Sequence, residues 1–202
     1  METVIDSKLI QQLREISGSG VLECKKALEQ TAGNVDKALQ ILREKGATQA
    51  LKKSVRAAKN GLISAYIHHG DRIGVLLEIN CETDFVARNE EFKNLAKEIG
   101  MQIAATNPQF VKREDIPAEV IAQEKEIYKK QVLQEGKPEK IVEKILEGRI
   151  EKYYEQVCLL DQPYIRDTSG KQKIKDLVTQ AVGKTGENII VKRFTRFQLG
   201  EE

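Results

Sequence analysis

The stretch from Gly61 to Asn80 constrains the fold more than any other part of the chain. Leu62-Ile63-Ser64-Ala65-Tyr66-Ile67-His68 and Ile73-Gly74-Val75-Leu76-Leu77-Glu78-Ile79-Asn80 are rich in β-branched residues, and His69-Gly70-Asp71-Arg72 between them has turn composition. Two such runs joined by a short Gly-containing turn predict a β-hairpin. A hairpin alone is marginal in water, so it needs a further strand and a helical cover. Asn188 to Phe197 supplies the strand. It sets Ile189, Val191, Arg193, Thr195 and Phe197 on one face and Ile190, Lys192, Phe194 and Arg196 on the other, so burial is expected on both. The remaining segments have helical spacing. The expected fold class is α+β: an N-terminal three-helix bundle, then a core with a three-stranded antiparallel sheet packed by helices and a helical hairpin.

Ser7 or Asp6 caps a first helix with Leu9, Ile10, Leu13 and Ile16 at helical spacing, and Gly18-Ser19-Gly20 breaks it. A second helix carries Val21, Cys24, Ala27 and Leu28 to Gly33. A third, capped by Asn34, buries Val35, Ala38, Leu39 and Leu42 and is expected to stop at Gly46. Val21 and Leu22 are neighbours, so they cannot both face one narrow core, and one of them is expected at the surface. Ala47 to Lys59 reads as a helical linker with a solvated basic face of Lys52, Lys53, Arg56 and Lys59. The domain boundaries expected are 1–55 for the bundle and linker and 56–202 for the core.

After the hairpin comes Cys81-Glu82-Thr83-Asp84-Phe85-Val86-Ala87-Arg88-Asn89. A helix then begins near Asn89, with Phe92, Leu95, Ala96, Ile99 and Ile103 on one face and Glu90 and Glu91 at its positive end. Phe85 reads either as a plug between sheet and helix or, turned outward beside Asp84, as a short apolar wedge with a charged tip. Pro117 opens a helix through Val120, Ile121, Ile127, Tyr128 and Val132. Gly136-Lys137-Pro138 turns the chain into a second, through Ile141, Ile145, Leu146, Ile150, Tyr153, Tyr154 and Val157. A last helix is expected at about Lys171 to Val182, with Gly183 and Gly186 flanking a turn.

Composition narrows the function. Of 202 residues, 33 are Lys or Arg and 31 Asp or Glu, a net charge of +2, against the strong basic excess of a dedicated nucleic-acid binder. No apolar run reaches the roughly 18 residues that span a bilayer, and no secretory signal follows Met1. Cys24, Cys81 and Cys158 are an odd, widely spaced set, read as reduced thiols, with an intermolecular bridge through Cys81 or Cys158 left open. His68 and His69 are the only histidines, and neighbours on a strand point to opposite faces, a poor metal pair. No metal, cofactor or nucleophilic constellation is visible. Aromatics are 5% of the chain, with no Trp, so an exposed Phe would be a natural binding anchor.

Four blocks carry a resemblance. They are Leu13-Arg14-Glu15 with Ser17-Gly18-Ser19-Gly20-Val21-Leu22-Glu23-Cys24-Lys25-Lys26-Ala27-Leu28; Asn80-Cys81-Glu82-Thr83-Asp84-Phe85-Val86-Ala87-Arg88; Gly136-Lys137-Pro138 through Glu147-Gly148-Arg149 to Gln162-Pro163-Tyr164; and Gly186-Glu187-Asn188-Ile189 leading to Lys192-Arg193-Phe194. In this order they resemble the elongation factor Ts family, of bacterial or plastid type. The resemblance implies a guanine-nucleotide exchange factor for elongation factor Tu, binding its GDP-bound and nucleotide-free forms: a non-enzymatic translation factor without a cofactor, working in a cytoplasm or plastid stroma. It implies a ubiquitin-associated-like fold for the first three helices, with Val21 and Leu22, and Arg14 beside them, touching the partner. Some members carry a Met pair where this chain has Val-Leu. It assigns Thr83, Asp84, Phe85 and Val86 to displacement of the partner's Mg²⁺ support. The chain looks like the short form, with no second copy of the hairpin and helix, which implies a homodimer. No membrane and no direct nucleic-acid contact are expected. Two other readings remain from the residues alone: an RNA-binding helical protein using the basic linker, and a thiol-dependent enzyme using Cys24 or Cys81.

Overall fold

A computed structural model describes residues 5–135 and 138–201. The element order is α1 Ser7–Ser17, α2 Val21–Gln30, α3 Val35–Lys53, β1 Asn60–Ile67, β2 Ile73–Cys81, α4 Asp84–Ala87, α5 Glu90–Thr106, α6 Ala118–Gln134, α7 Glu139–Val157, α8 Ile174–Thr185 and β3 Ile190–Gln198. The sheet is antiparallel in the order β1-β2-β3, so the hairpin forms as its turn chemistry requires and β3 pairs with β2. Gly70 and Asp71 take the positive φ that the turn needs, at 92° and 57°. The fold class is α+β, as the periodicity indicated. The Gly136-Lys137 turn lies outside the described residues.

The chain divides into two compact units, one of residues up to Ser64 with Leu77–Glu98 and Lys175–Lys192, the other of Ala65–Leu76, Ile99–Ile174 and the segment from Arg193. In the first unit, Leu13, Cys24, Ala27, Leu28, Ala38 and Leu42 form the core of α1–α3, with Leu9, Ile10, Val35 and Leu39 packed on it. Asp6 caps α1 by accepting from the Lys8 amide, and Gly18 ends it in the left-handed conformation, φ 66°. Ile16, at helical spacing with the buried residues, is itself half exposed, and one expectation fails here. Gly46 does not stop the third helix, which runs on to Lys53 and takes in half of the supposed linker. A helix-interior Gly costs about 1 kcal/mol relative to Ala. A Cβ at Gly46 would stand 3.5 Å from Thr179 of α8, an ordinary van der Waals contact, so packing leaves room for a side chain there. Across the hairpin, a Cβ at Gly61 would collide with the Ile79 carbonyl oxygen, and its φ of 148° is one only Gly adopts freely.

In the second unit, Tyr66 of β1 lies under Gly100 of α5, where a Cβ would meet the Tyr66 Cβ at 3.0 Å. Gln102, fully buried on α5, donates to Gln162 Oε1 and the Pro163 carbonyl, both 3.1 Å, and accepts from the Ile165 amide at 3.0 Å. The α6–α7 hairpin packs Ile116, Val157 and Cys158 against Phe110, Val120, Ile121, Tyr153 and Tyr154. Arg113 clamps the same region: it donates to both oxygens of buried Asp161 at 2.9 Å and to both of Glu151 at 2.8 Å, and lies 4.5 Å over the Tyr154 ring. Those carboxylates hold the guanidinium even more firmly protonated than usual.

The last helix starts at Ile174, not Lys171, and Gly183 lies inside it. The preceding turn is built by Asp167, whose carboxylate accepts from the backbone of Gln172, Lys171 and Ser169, and from the Ser169 hydroxyl; these bonds hold its pKa down at about 2. Strand β3 departs from strict alternation. Val191 is buried, but thereafter Phe194, Arg196 and Gln198 are the sheltered residues, and Phe197 is 65% exposed. The Arg196 Nε donates to the Ala104 carbonyl of α5 at 3.3 Å, which turns this residue to the helix side and Phe197 to the open side. Burial on both faces is therefore not found.

Candidate functional site

The segment after β2 is a short, heavily anchored stem carrying an exposed tip. Thr83 is extended (φ −124°, ψ 158°), and its hydroxyl accepts from the Val86 amide at 3.4 Å, capping the four-residue helix α4. Asp84 is the first residue of that helix and pairs with Arg88 one turn later, Oδ2 to Nη2 2.9 Å. Phe85 is 80% exposed, whereas Val86 is half-buried. Of the two readings open for Phe85, a core plug and an outward wedge, the geometry is the outward one.

Beneath the tip the stem is tied down by a dense set of hydrogen bonds. The Glu187 carboxylate accepts from the Glu82 and Thr83 amides, each 3.0 Å, and from the Thr83 hydroxyl at 2.6 Å. Glu82 in turn accepts from the Asn188 amide at 2.6 Å and pairs with Arg56 at 3.5 Å, and its carbonyl accepts from Asn60 at 2.7 Å. Buried Asn188 donates to the carbonyls of Arg56 and Ser54, 2.8 and 3.4 Å. The Cys81 thiol, fully buried, donates to the Thr83 carbonyl at 3.1 Å. Burial pushes that thiol's pKa up, and Glu187 adds to the rise, which favours the protonated thiol.

The second group of expected residues sits on the bundle. Val21 and Leu22 are 50% and 73% exposed, so both reach the surface, not one. Gly20 caps α2 without a side-chain bond. The loop before it is held locally: Ser17 lies 3.7 Å from the Cys24 sulfur, and Ser19 donates its amide to the Ser17 hydroxyl at 3.2 Å. Arg14 and Val21 both line a cleft of about 1140 Å³, together with Arg43, Lys45, Glu91, Asp176 and Lys184. Leu22 and Thr83–Val86 do not line it.

Other candidates fare less well. Of the four linker cations, Lys53 donates to the Val182 carbonyl at 3.3 Å and Arg56 is paired with Glu82, which leaves Lys52 and Lys59 as the more open members. All three cysteines are fully buried, so none is placed to attack a substrate or bridge to a second chain without local opening. His68 is exposed and bonded to the Tyr66 hydroxyl at 3.1 Å. Among the described residues, no three His, Cys, Asp or Glu side chains gather to hold a metal ion, and no helix is long and apolar enough to cross a membrane. Sequence reasoning marked Gly186-Glu187-Asn188-Ile189 but assigned it no role; its pairing with Thr83, 104 residues away, is a tertiary fact.

A family model described as Elongation factor TS matches residues 2–201. The chain is 58% identical over 197 residues to a protein named Elongation factor Ts from Thermodesulfovibrio yellowstonii, covering 98% of this chain and 97% of the relative. It is 56% identical over 202 residues to the protein of that name from Thermotoga neapolitana, with each covered in full, and 57% identical over 197 residues to that from Thermotoga petrophila.

Proposed function

Since the chain belongs to the elongation factor Ts family, we propose that it serves translation as the guanine-nucleotide exchange factor of elongation factor Tu, with the Thr83–Val86 stem as its working tip. The observation that carries the mechanism is Phe85, 80% exposed in a chain with five Phe and no Trp. A large aromatic held in water costs hydration free energy that is recovered only when a partner covers it. Phe85 enters between side chains of the partner's G domain, and Asp84, at the start of α4, hydrogen-bonds beside it. The partner's Mg²⁺ joins nucleotide phosphate oxygens to protein oxygens, so shifting the protein side weakens GDP retention. No bond is made or broken. The factor binds one state of its partner better than another, a coupling of about 1–3 kcal/mol in typical cases, so it is no enzyme in the covalent sense. Its setting is the cytoplasm or a plastid stroma, and nucleic acid is not a direct partner.

The bundle of residues 1–55 supplies a second contact through Val21 and Leu22, with Arg14 nearby. A third proposal concerns self-association. Ile67 and Leu76 lie on the sheet face away from α5, since Ile67 alternates with Tyr66 and a Cβ at Gly74 would meet the Ile67 Cδ1 at 3.2 Å. Phe197 opens to the same side, and the three are 60%, 49% and 65% exposed. A second copy of the chain covers this face in a homodimer. Sedimentation of the wild-type chain and of Phe197→Glu checks it: a dimer for the first and a folded monomer for the second are expected, and a monomer for both refutes it.

Stopped-flow GDP release from elongation factor Tu tests the main reading. Acceleration by the wild-type chain, lost in Phe85→Ala and reduced in Asp84→Ala, is expected. Equal acceleration by both variants sinks the assigned mechanism. The basic-linker RNA reading predicts instead a strongly salt-dependent RNA affinity, and the pairing of Arg56 and Lys53 within the chain weighs against it.

A further inference from the structure

We propose that Glu187 is a positioning residue for exchange: its carboxylate, reaching across from the turn between α8 and β3, holds the Thr83 stem so that Phe85 is presented before the partner arrives. This rests on Phe85 being the exchange wedge and goes beyond it, since Glu187 itself lies behind the stem and works through Thr83.

A helix of one turn cannot hold itself. Its nucleation fixes several backbone angles for a single hydrogen bond, so α4 on its own would be mostly unfolded. Thr83 caps it, but a cap is only as fixed as the residue that provides it. Three donors of the stem converge on one carboxylate, two on Oε2 and the Thr83 hydroxyl on Oε1. Charge-assisted bonds of this kind are stronger than neutral ones. The arrangement is reciprocal: Glu187 accepts from the Glu82 amide, while the Glu82 carboxylate accepts from the Asn188 amide. Asn188 is tied to the Ser54 and Arg56 carbonyls, so the clamp is seated on the end of α3. The turn that delivers Glu187 needs Gly186 at φ 76°. The Gly-Glu-Asn block is thus read as one device: a turn, a carboxylate and an anchor.

A stem ordered in advance does not have to be ordered at encounter, and that is where preorganisation acts on affinity. When the clamp is lost, only a fraction of molecules present Phe85, and apparent affinity falls by that fraction while the complex, once formed, releases GDP as before. The test is GDP release as a function of factor concentration for Glu187→Ala and Glu187→Gln. In Glu187→Ala the concentration for half-maximal release should rise roughly tenfold, the scale of losing charge-assisted bonds, with the plateau rate kept within about twofold. Glu187→Gln keeps one oxygen for the two amides, so its shift should be smaller. In a Phe85→Ala background the Glu187→Ala shift should nearly vanish, because nothing remains to be presented.

A second readout needs no partner. Cys81 is buried against the Thr83 carbonyl, so site-resolved alkylation by iodoacetamide should quicken at Cys81 in Glu187→Ala while Cys24 and Cys158 stay protected as in the wild type. A lowered plateau with an unchanged half-maximal concentration overturns the proposal. So do losses that multiply independently with Phe85→Ala, a Cys81 no more reactive than in the wild type, or all three cysteines reacting alike in both Glu187 variants. Phe85→Ala releasing GDP as fast as the wild type overturns the wedge reading and this proposal together; a normal Phe85 effect without the Glu187 shift overturns this proposal alone.

Discussion

Thr83–Arg88 and Gly18–Leu22 both bring the chain into the start of a helix and both leave large apolar side chains in water, yet they are held in opposite ways. The first is fixed from afar. Its cap is a Thr side chain, and its backbone amides end on Glu187, more than a hundred residues on. The second is fixed from nearby. Gly18 closes α1, Ser17 and Cys24 face each other seven residues apart, and Gly20 offers no side-chain cap. Long-range anchoring makes a rigid presenter from a helix too short to stand alone. Local anchoring holds the second surface by bonds within the bundle's own first turns.

Four changes break or sharpen that contrast. The largest effect belongs to Phe85→Ala, which should slow GDP release by about thirtyfold, the scale of a rigid aromatic hot spot; a release rate within a factor of two would put the working contact elsewhere. Next, Val21→Ala with Leu22→Ala should weaken binding to elongation factor Tu roughly fivefold in calorimetry and leave the plateau release rate alone; a fall in the plateau would erase the division of labour. Third, Gly20→Ser should raise the melting temperature by about 1 °C, since a hydroxyl there supplies the missing cap and a Ser cap exceeds Gly by only a few tenths of a kcal/mol. Gly20 is extended (φ −64°, ψ 152°) with open space around a new Cβ, so nothing opposes the gain. The smallest effect is pH dependence beneath the wedge. The Cys81 pKa is raised in the folded chain above its ordinary 9.0. The unfolded chain thus loses this proton first, so the stability it contributes is complete below pH 9.0 and is lost as pH rises through the folded value. Urea midpoints from neutral to alkaline pH should fall less in Cys81→Ala than in the wild type.

Much of the fold could be read from the chain because its signals are local. The hairpin follows from two β-rich runs and a turn that accepts positive φ. The buried stripe of α5, Phe92, Leu95, Ala96, Ile99 and Ile103, follows from helical period. The errors came where a neighbour distant in sequence overrode a local rule. Gly46 is a sound stop signal, but α3 runs on past it to Lys53, within van der Waals range of Thr179 on α8. Strand β3 alternates on paper, but the bond from Arg196 to the Ala104 carbonyl shifts which residues face inward. Ile16 fits the apolar spacing of α1 and still lies half in water, because a bundle this small has no core left for it.

The sequence by itself determined the periodic elements, the +2 charge that weighs against nucleic acid, and the blocks that carry the family likeness, Thr83-Asp84-Phe85-Val86 foremost. It could not choose between Phe85 as a plug and Phe85 as a wedge, since burial is a property of what the rest of the chain packs against. Tertiary structure decided that. It turned Phe85 outward, buried all three cysteines, engaged half of the linker cations, and brought Glu187 under the stem. The physical reason is the same each time. Period and capping act over a few residues, whereas exposure and hydrogen bonds between segments are fixed only when distant parts of the chain meet.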